Sequence, residues 1–296
     1  MGHTMNAPTP TPVDLPHLRE WLGRGEQRVD LVTAVPLAAL SATLDRDDPE
    51  PQPGSDVPAL WHWLYFTPLA RQSEIGPDGH PRRGGFLPPV PLPRRLWAGG
   101  RLEFHHPLQV GDEIMRRSRI VKVDGKTGRS GELVFVTVRH EVSNARGLAL
   151  TEEHDIVYRD APLRTTAAPP PQPAATDETF AREIVPDPVL LFRYSALTFN
   201  GHRIHYDRSY VTGVEGYPGL IVHGPLIATL LLDLLRREQP QARVRRFAFT
   251  AVRPVFDIHR FTVCGRFEPG SDTRRATLWA RDHEGFLALR AEAGLA

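Results

Sequence analysis

The stretch from Leu220 to Arg237, LIVHGPLIATLLLDLLRR, constrains this chain more than any other. Three apolar residues lead into His223-Gly224-Pro225. Proline at a first helical position, with glycine before it, marks a helix start, because the N–H that proline lacks would have had no partner there. Beyond it Leu226, Ile227, Leu230, Leu231, Leu232, Leu234 and Leu235 fall on nearly every side of a helix. A helix apolar all round has to be wrapped by other structure. The run is shorter than the roughly 20 residues that cross a bilayer, so the wrapping is expected to be protein. The helix N-terminus then faces the polar run before it, Asn200-Gly201-His202-Arg203-Ile204-His205-Tyr206-Asp207.

The rest of the chain supplies β-structure to do the wrapping. Arg101 to Phe104, Ile114 to Val123, Leu133 to Val142 and Leu148 to Tyr158 read as strands, with turns at Val110-Gly111-Asp112, Asp124-Gly125 and Ser143-Asn144. After the buried helix the same grammar returns: Arg245 to Ala251, Phe261 to Phe267, Ala276 to Ala280 and Phe286 to Ala291. Turns are expected there at Pro269-Gly270-Ser271 and Asp282 to Gly285. Short connections of this kind predict antiparallel meanders and an α+β fold. Helices are predicted over Leu15 to Gly23 and Val35 to Leu44; Ala59 to Phe66 fits a buried helical turn or a strand, and residues 75–95 a long loop. Residues 161–177, APLRTTAAPPPQPAATD, break all patterning and read as a proline-rich linker. The expected division is therefore 1–160, linker 161–177, and 178–296. A faint repeat, Arg101 and Phe104 against Arg253 and Phe256, supports two equivalent halves.

Charge and cysteine usage narrow the function. Lys and Arg number 36 against 35 Asp and Glu, a net charge of +1, which gives no case for nucleic acid as the main partner. The single cysteine, Cys264, excludes an internal disulfide and fits a reducing compartment. With no signal-peptide pattern and no apolar run of membrane length, the expected location is the cytoplasm. No HxxxH, HExxH, G-x-S-x-G or strand-linked G-x-G-x-x-G occurs, so no metal and no cofactor are expected.

The run Tyr194 to Asp207, with Tyr217-Pro218-Gly219 to Pro225, resembles the active-site segment of the MaoC-like hydratases. Within that family the similarity is closest to the mesaconyl-C4-CoA (3-methylfumaryl-CoA) hydratases and the mitochondrial-type 3-hydroxyacyl-thioester dehydratases. The resemblance implies a double hotdog, two antiparallel sheets each wrapped round a helix, with the first copy degenerate: it has lost much of its helix or replaced it by the Trp61 to Phe66 segment. It also implies an acyl-CoA substrate and a homodimer, or a pseudo-dimer within one chain. The reaction implied is addition of water to mesaconyl-C4-CoA, giving (S)-citramalyl-CoA. The alternatives are dehydration of 3-hydroxyacyl thioesters in fatty-acid metabolism, a hotdog thioesterase, and a non-catalytic thioester-binding protein, since fold alone does not fix function.

Residue by residue, His205 stands at the family's catalytic histidine, and its pKa near neutrality suits proton transfer. Asn200 stands where most of the family has an aspartate. An amide cannot take a proton, so Asn200 is expected to orient a water rather than deprotonate it. The Gly224 N–H, at the positive end of a buried helix, is expected to stabilise the enolate oxygen of a thioester. His202 is either a second proton-transfer group or a cap of the loop, and His223 a wall residue. Asp207 fits a histidine partner, a helix cap or a solvated carboxylate. Among Arg193, Arg203 and Arg253, Arg203 is the expected contact for the substrate's negative charge. The tryptophans and the Pro88 to Pro93 run fit an acyl pocket or plain core.

Overall fold

The computed structural model describes residues 12–128, 131–160, 170–268 and 275–296. The expectations for residues 1–11, for 161–169 of the linker and for the Pro269-Gly270-Ser271 turn lie outside those residues. The architecture is α+β. Ten strands form one antiparallel sheet in the order β1-β3-β4-β5-β2-β7-β10-β9-β8-β6. The first half comprises β1 (Gly25–Leu31), β2 (Arg94–Phe104), β3 (Glu113–Gly128), β4 (Gly131–Asn144) and β5 (Gly147–Arg159). The second comprises β6 (Phe180–Ile184), β7 (Val244–Ala251), β8 (Phe261–Phe267), β9 (Arg275–Arg281) and β10 (Leu287–Leu295). The order runs outward from the β2–β7 seam in the same sense on both sides, so each half is a meander with one short edge strand.

The strands form where side chains alternate. Val134, Val136, Val138 and Val142 of β4 are buried while Arg139 is exposed between them, the period-2 pattern of a sheet with one covered face. Eight of the ten strands lie where the sequence predicts them. The Asp124-Gly125 turn is a correction: both residues lie inside β3, paired with Phe135 and Val134. Gly125 serves packing rather than chain reversal, since a Cβ there would meet the Leu15 side chain at 3.3 Å. Leu15 opens the first helix, α1 (Leu15–Arg19), and Leu18 on its buried side enters the core of the first half. The Arg101–Arg253 match does not survive either, because Arg101 lies within β2 and Arg253 beyond β7. The order of elements is what the halves share.

The seam depends on two glycines. Gly99 and Gly100 of β2 face Thr250 and Phe249 of β7, and a Cβ on Gly99 would fall 2.4 Å from the Phe249 carbonyl oxygen. Two further helices, α2 (Ala34–Thr43) and α3 (Pro188–Leu197), pack on each other, and a short α4 (Arg208–Gly213) follows the polar loop. The segment around Trp61 resolves as a 3-10 turn, Trp61–Leu64.

The helix that opened the sequence reading is α5 (Gly224–Glu238), with Pro225 at its start. Every residue from Leu226 to Leu235 is buried, wrapped by β2, β6, β8, β9 and β10. Burying its seven Leu and Ile side chains is worth on the order of 10–20 kcal/mol of apolar transfer, an upper figure because denatured chains are partly collapsed. The one acid in this stretch, Asp233, pairs with Arg46 (2.6 Å), Arg182 (3.0 Å) and Arg237 (2.8 Å). That pairing fixes the C-terminal end of α5 and leaves its N-terminus aimed at the polar loop.

Candidate active site

At the start of α5 the first helical bond runs from Ile227 N–H to the His223 carbonyl (3.1 Å). The Gly224 and Leu226 amides therefore have no helical acceptor, at the positive end of the dipole. A Cβ on Gly224 would meet only the Trp97 carbonyl oxygen, at 3.9 Å, so crowding is not what requires glycine here. The space beside its amide is bounded by β2 of the other half.

His205 closes a 3-10 turn, Arg203–His205, and is buried. Its Nδ1 lies 2.7 Å from the Ile221 carbonyl oxygen, which can only accept, so Nδ1 carries the proton and Nε2 keeps its lone pair. The residue that fixes this tautomer is thus Ile221. Asp207 caps α4, accepting from Tyr210 N–H (3.0 Å), and holds Arg203 (2.8 Å). Arg203 also donates to the Pro77 carbonyl (3.0 Å) and lies over the Tyr210 ring (4.2 Å). Its guanidinium is engaged in tying the loop. Arg253 pairs with Asp282 (3.0 Å), and Arg193 points to solvent.

The expected histidines converge, and a fourth joins them. His223 stacks on His205 at 3.7 Å and 18°, and its Nε2 is 2.8 Å from Ser195 Oγ. His202 stands edge-on to His205 at 5.4 Å. His80, from the loop before β2, lies 4.0 Å from His202, with Nδ1 3.0 Å from Asp78 Oδ2. Asn200 accepts from the His202 N–H (3.0 Å), so its carbonyl oxygen braces the loop.

Sequence reasoning missed Asp78 and His80, because nothing periodic marks residues 75–95, and it gave Ser195 no role of its own. The available signal was Gly79, whose φ of +88° is left-handed. A Cβ on Gly79 would lie 1.8 Å from the Gly201 carbonyl oxygen, and one on Gly201 2.7 Å from that of Gly79. Two glycines let the loops interlock, sealed by Arg203 N–H donating to the Asp78 carbonyl (2.9 Å). The ligand atoms of Asp78, His80 and His202 lie within 4.8 Å of one another, a cluster that no local spacing foretells.

Burial sets the charge state. Desolvation holds His205 and His80 at about 4, drives His202 lower still and keeps His223 well below the ordinary histidine value. Burial works to raise the Asp78 carboxyl, but hydrogen bonds and charge from His80 keep it well below the usual carboxylate range. Near neutral pH the row His80–His202–His205–His223 is therefore four neutral imidazoles with an ionised Asp78 at one end. Neutral His205, with a free Nε2 beside unpaired helix amides, is set up to take a proton while an oxyanion forms nearby.

A cavity of about 420 Å³ lies at the opposite end of α5, lined by His62, His106, Leu232 and Arg236 among others. It is remote from the row. Between the two, on the inner face of the first half, Glu152 accepts from Trp63 Nε1 (3.1 Å) and meets His62 Nε2 at 3.1 Å, and His154 stacks on Trp97 at 3.8 Å.

Residues 60–257 match the family model for hydroxyacyl-thioester dehydratase type 2. The chain is 46% identical over 271 residues to the mesaconyl-C(4)-CoA hydratase of Chloroflexus aurantiacus, covering 92% of this chain and 95% of that protein. It is 28% identical over 271 residues to the mitochondrial hydroxyacyl-thioester dehydratase type 2 of Schizosaccharomyces pombe, covering 79% and 88%. Among solved structures it superposes on a MaoC-like dehydratase with a TM-score of 0.68 at 16% identity, covering 94% and 99%. A Mycobacterium tuberculosis protein described as a double hotdog superposes with a TM-score of 0.57 at 15% identity, covering 93% and 96%. At those identities the structures speak to the fold alone, and the fold is a double hotdog.

Proposed function

The chain belongs to the hydroxyacyl-thioester dehydratase type 2 family of hotdog hydro-lyases, and from that premise we propose that it hydrates mesaconyl-C4-CoA (3-methylfumaryl-CoA) to (S)-citramalyl-CoA. The identity of 46% across nearly the whole chain supports this acyl group over the fatty-acyl dehydration of the more distant relatives. The observation that carries the chemistry is the 2.7 Å contact between His205 Nδ1 and Ile221, which leaves a neutral Nε2 at the start of α5.

In this reading His205 Nε2 takes a proton from a water oriented by the Asn200 amide. The water oxygen bonds to the β-carbon, the C=C pair moves toward the thioester, and the enolate oxygen rests on the Gly224 N–H. Collapse of the enolate returns a proton to the α-carbon, so atoms and charge balance without a cofactor. His202 and His223 wall the acyl group. Arg203 acts by holding the loop that carries His202 and His205. The two halves pair through β2 and β7 as two hotdog subunits would, a pseudo-dimer within one chain. Among the described residues no helix is long and apolar enough to cross a membrane.

The test is incubation of purified protein with mesaconyl-C4-CoA and with crotonyl-CoA separately, following loss of enoyl-thioester absorbance. Turnover of the first, well above the second, is expected. His205→Ala should lower kcat on the order of 10²–10⁴-fold while thioester binding persists. Saturable binding of both esters with no turnover would instead identify a non-catalytic thioester-binding protein.

A further inference from the structure

A dicarboxylic acyl thioester brings a free carboxylate into the protein, and a desolvated carboxylate needs a cation and hydrogen-bond donors. The pairing of β2 with β5 shows where such a group exists. Leu150, Glu152, His154, Ile156 and Tyr158 are every second residue of β5 and line its inner face. Across from them, Trp97 pairs with Ile156 and Arg95 with Tyr158. Cross-strand partners share a face, so Arg95 and Trp97 point inward with them. The Trp97 carbonyl oxygen is the atom nearest to where a Gly224 Cβ would lie, at 3.9 Å. Arg95 follows two residues along the strand, about 7 Å away, within the reach of an arginine side chain.

A guanidinium and a phenol meet at this place with no carboxylate paired to them among the described residues. The half-buried Arg95 guanidinium makes no ion pair among the described residues and has the Tyr158 hydroxyl as its side-chain neighbour, whereas Arg94 beside it pairs with Glu215 (3.3 Å) and Tyr217 Oη (3.0 Å). Tyr158 is fully buried, and its hydroxyl lies beside Arg95, which can only donate, so the phenol O–H has no acceptor. A buried O–H left without an acceptor calls for an explanation, and a bound anion supplies one. Arg83 adds positive charge over the Tyr158 ring (5.4 Å), with its own N–H groups given to the carbonyls of Val90, Leu92 and Pro93. The nearby acid, Asp78, is engaged with His80. Arg95 also acts electrostatically on His80, His202 and His154, which places its charge on the side of the imidazole row.

We propose that Arg95, with the Tyr158 hydroxyl behind it, is the subsite for the free carboxylate of the acyl group and selects carboxylate-bearing over plain acyl thioesters. The subsite rests on the thioester-hydratase reading for its physiological substrate, but its own chemistry can be measured apart from turnover. A carboxylate there accepts two guanidinium N–H bonds and the phenol O–H, and Trp97 walls the chain between it and the Gly224 amide.

The experiment measures binding of two saturated, unreactive thioesters by calorimetry. Succinyl-CoA carries the carboxylate; butyryl-CoA has the same carbon count without it. Wild type should prefer succinyl-CoA by on the order of 10–100-fold, the range for hydrogen bonds to a charged group. Arg95→Gln should abolish that preference and leave butyryl-CoA affinity within about threefold, Arg95→Lys should keep part of it, and Tyr158→Phe should reduce it severalfold. Far-UV dichroism identifies any variant that fails to fold, and Tyr158→Phe, which deletes one oxygen, keeps the test open if Arg95→Gln does. Equal binding of the two esters by wild type overturns the subsite. So does an Arg95→Gln protein that loses affinity for both esters equally, since CoA is common to them. Succinyl preference without mesaconyl-C4-CoA turnover would retain the subsite and refute the hydratase reading.

Discussion

Replacing Gly79 by alanine tests whether the loop bearing Asp78 and His80 belongs to the working site. Alanine at φ +88° costs about 1–2 kcal/mol of backbone strain. The steric conflict is worse, with the new Cβ 1.8 Å from the Gly201 carbonyl oxygen and 2.8 Å from its carbon. No rotamer relieves a methyl group pressed against backbone, so the two loops have to part. Parting gives up the Arg203–Asp78 backbone bond, worth about 1 kcal/mol, and the His80–His202 ring contact, roughly 0.5–1.5 kcal/mol by analogy with aromatic pairs. Because this loop lies outside the sheet, the chain can surrender those contacts rather than bear the full strain. The loss of stability is then capped near their sum, about 1.5–2.5 kcal/mol, or a drop in Tm of about 3–10 °C for a chain of this size. The rate should suffer more, with kcat/KM for mesaconyl-C4-CoA falling at least ~10-fold, since each 1.4 kcal/mol of lost positioning is a factor of ten. A thermal melt and one set of initial rates decide it. A variant with wild-type Tm and a rate within about twofold would refute the interlock as a determinant of the site.

Two further outcomes follow from the charge states. Asn200→Asp places a carboxylate in the loop beside His205, which should raise the histidine's pKa by favouring its protonated form; the acidic limb of the pH–rate profile should move upward with activity reduced, and an unchanged profile and rate would mean that residue 200 touches neither His205 nor its water. Burial holds His205 at about 4 against 6.5 when exposed, so the unfolded chain binds the proton first as pH falls. The stability tied to the neutral ring is complete above about pH 6.5 and is lost progressively down to about pH 4, amounting to about 2 kcal/mol at pH 5. Tm should therefore decline from pH 7 to pH 5, less steeply in His205→Gln, and a flat or rising Tm would contradict a buried neutral imidazole.

How much of this was legible depended on whether a feature is local. The start of α5 is written in His223-Gly224-Pro225, and the strands of the two meanders in alternating Val and Ile. The two strands that went unseen, β1 and β6, are both sheet edges. β1 exposes Val29 and Leu31 and carries Glu26, Arg28 and Asp30, so no apolar face announces it; β6 is only Phe180–Ile184. The Asp124-Gly125 dipeptide looked like a turn because glycine in a strand and glycine in a hairpin are the same letter, and only the position of Leu15 separates them. His202, His205, His223 and Gly224 could be singled out together because they share one segment with the helix. Asp78, His80 and Arg95 lie outside it and carry no local signal, because their relation to that segment exists only once the chain has folded. Arg203 looked like a ligand for the substrate until Asp207, four residues on, was seen to hold it.

The same pairing explains why the first half has no long central helix among its described residues. Its inner face carries Arg116, Ser118, His140, Glu152 and His154 where the second half presents aliphatic side chains to α5. An apolar helix laid on that face would strand these groups without partners, at a cost of roughly 1–3 kcal/mol each. The 3-10 turn Trp61–Leu64 covers it instead with polar atoms that fit: His62 and Trp63 both reach Glu152, and His140 is 2.8 Å from Ser118 Oγ. Burial alone would push Glu152 up, but the His62 bond and the surrounding histidines hold it at about 2, so the face stays charged. Trp63 in turn packs edge-on against Trp97 at 5.0 Å. The first half thus presents a polar wall in place of a helix, and Trp97, at the end of that wall, is the residue whose carbonyl lies nearest to a Gly224 Cβ, at 3.9 Å.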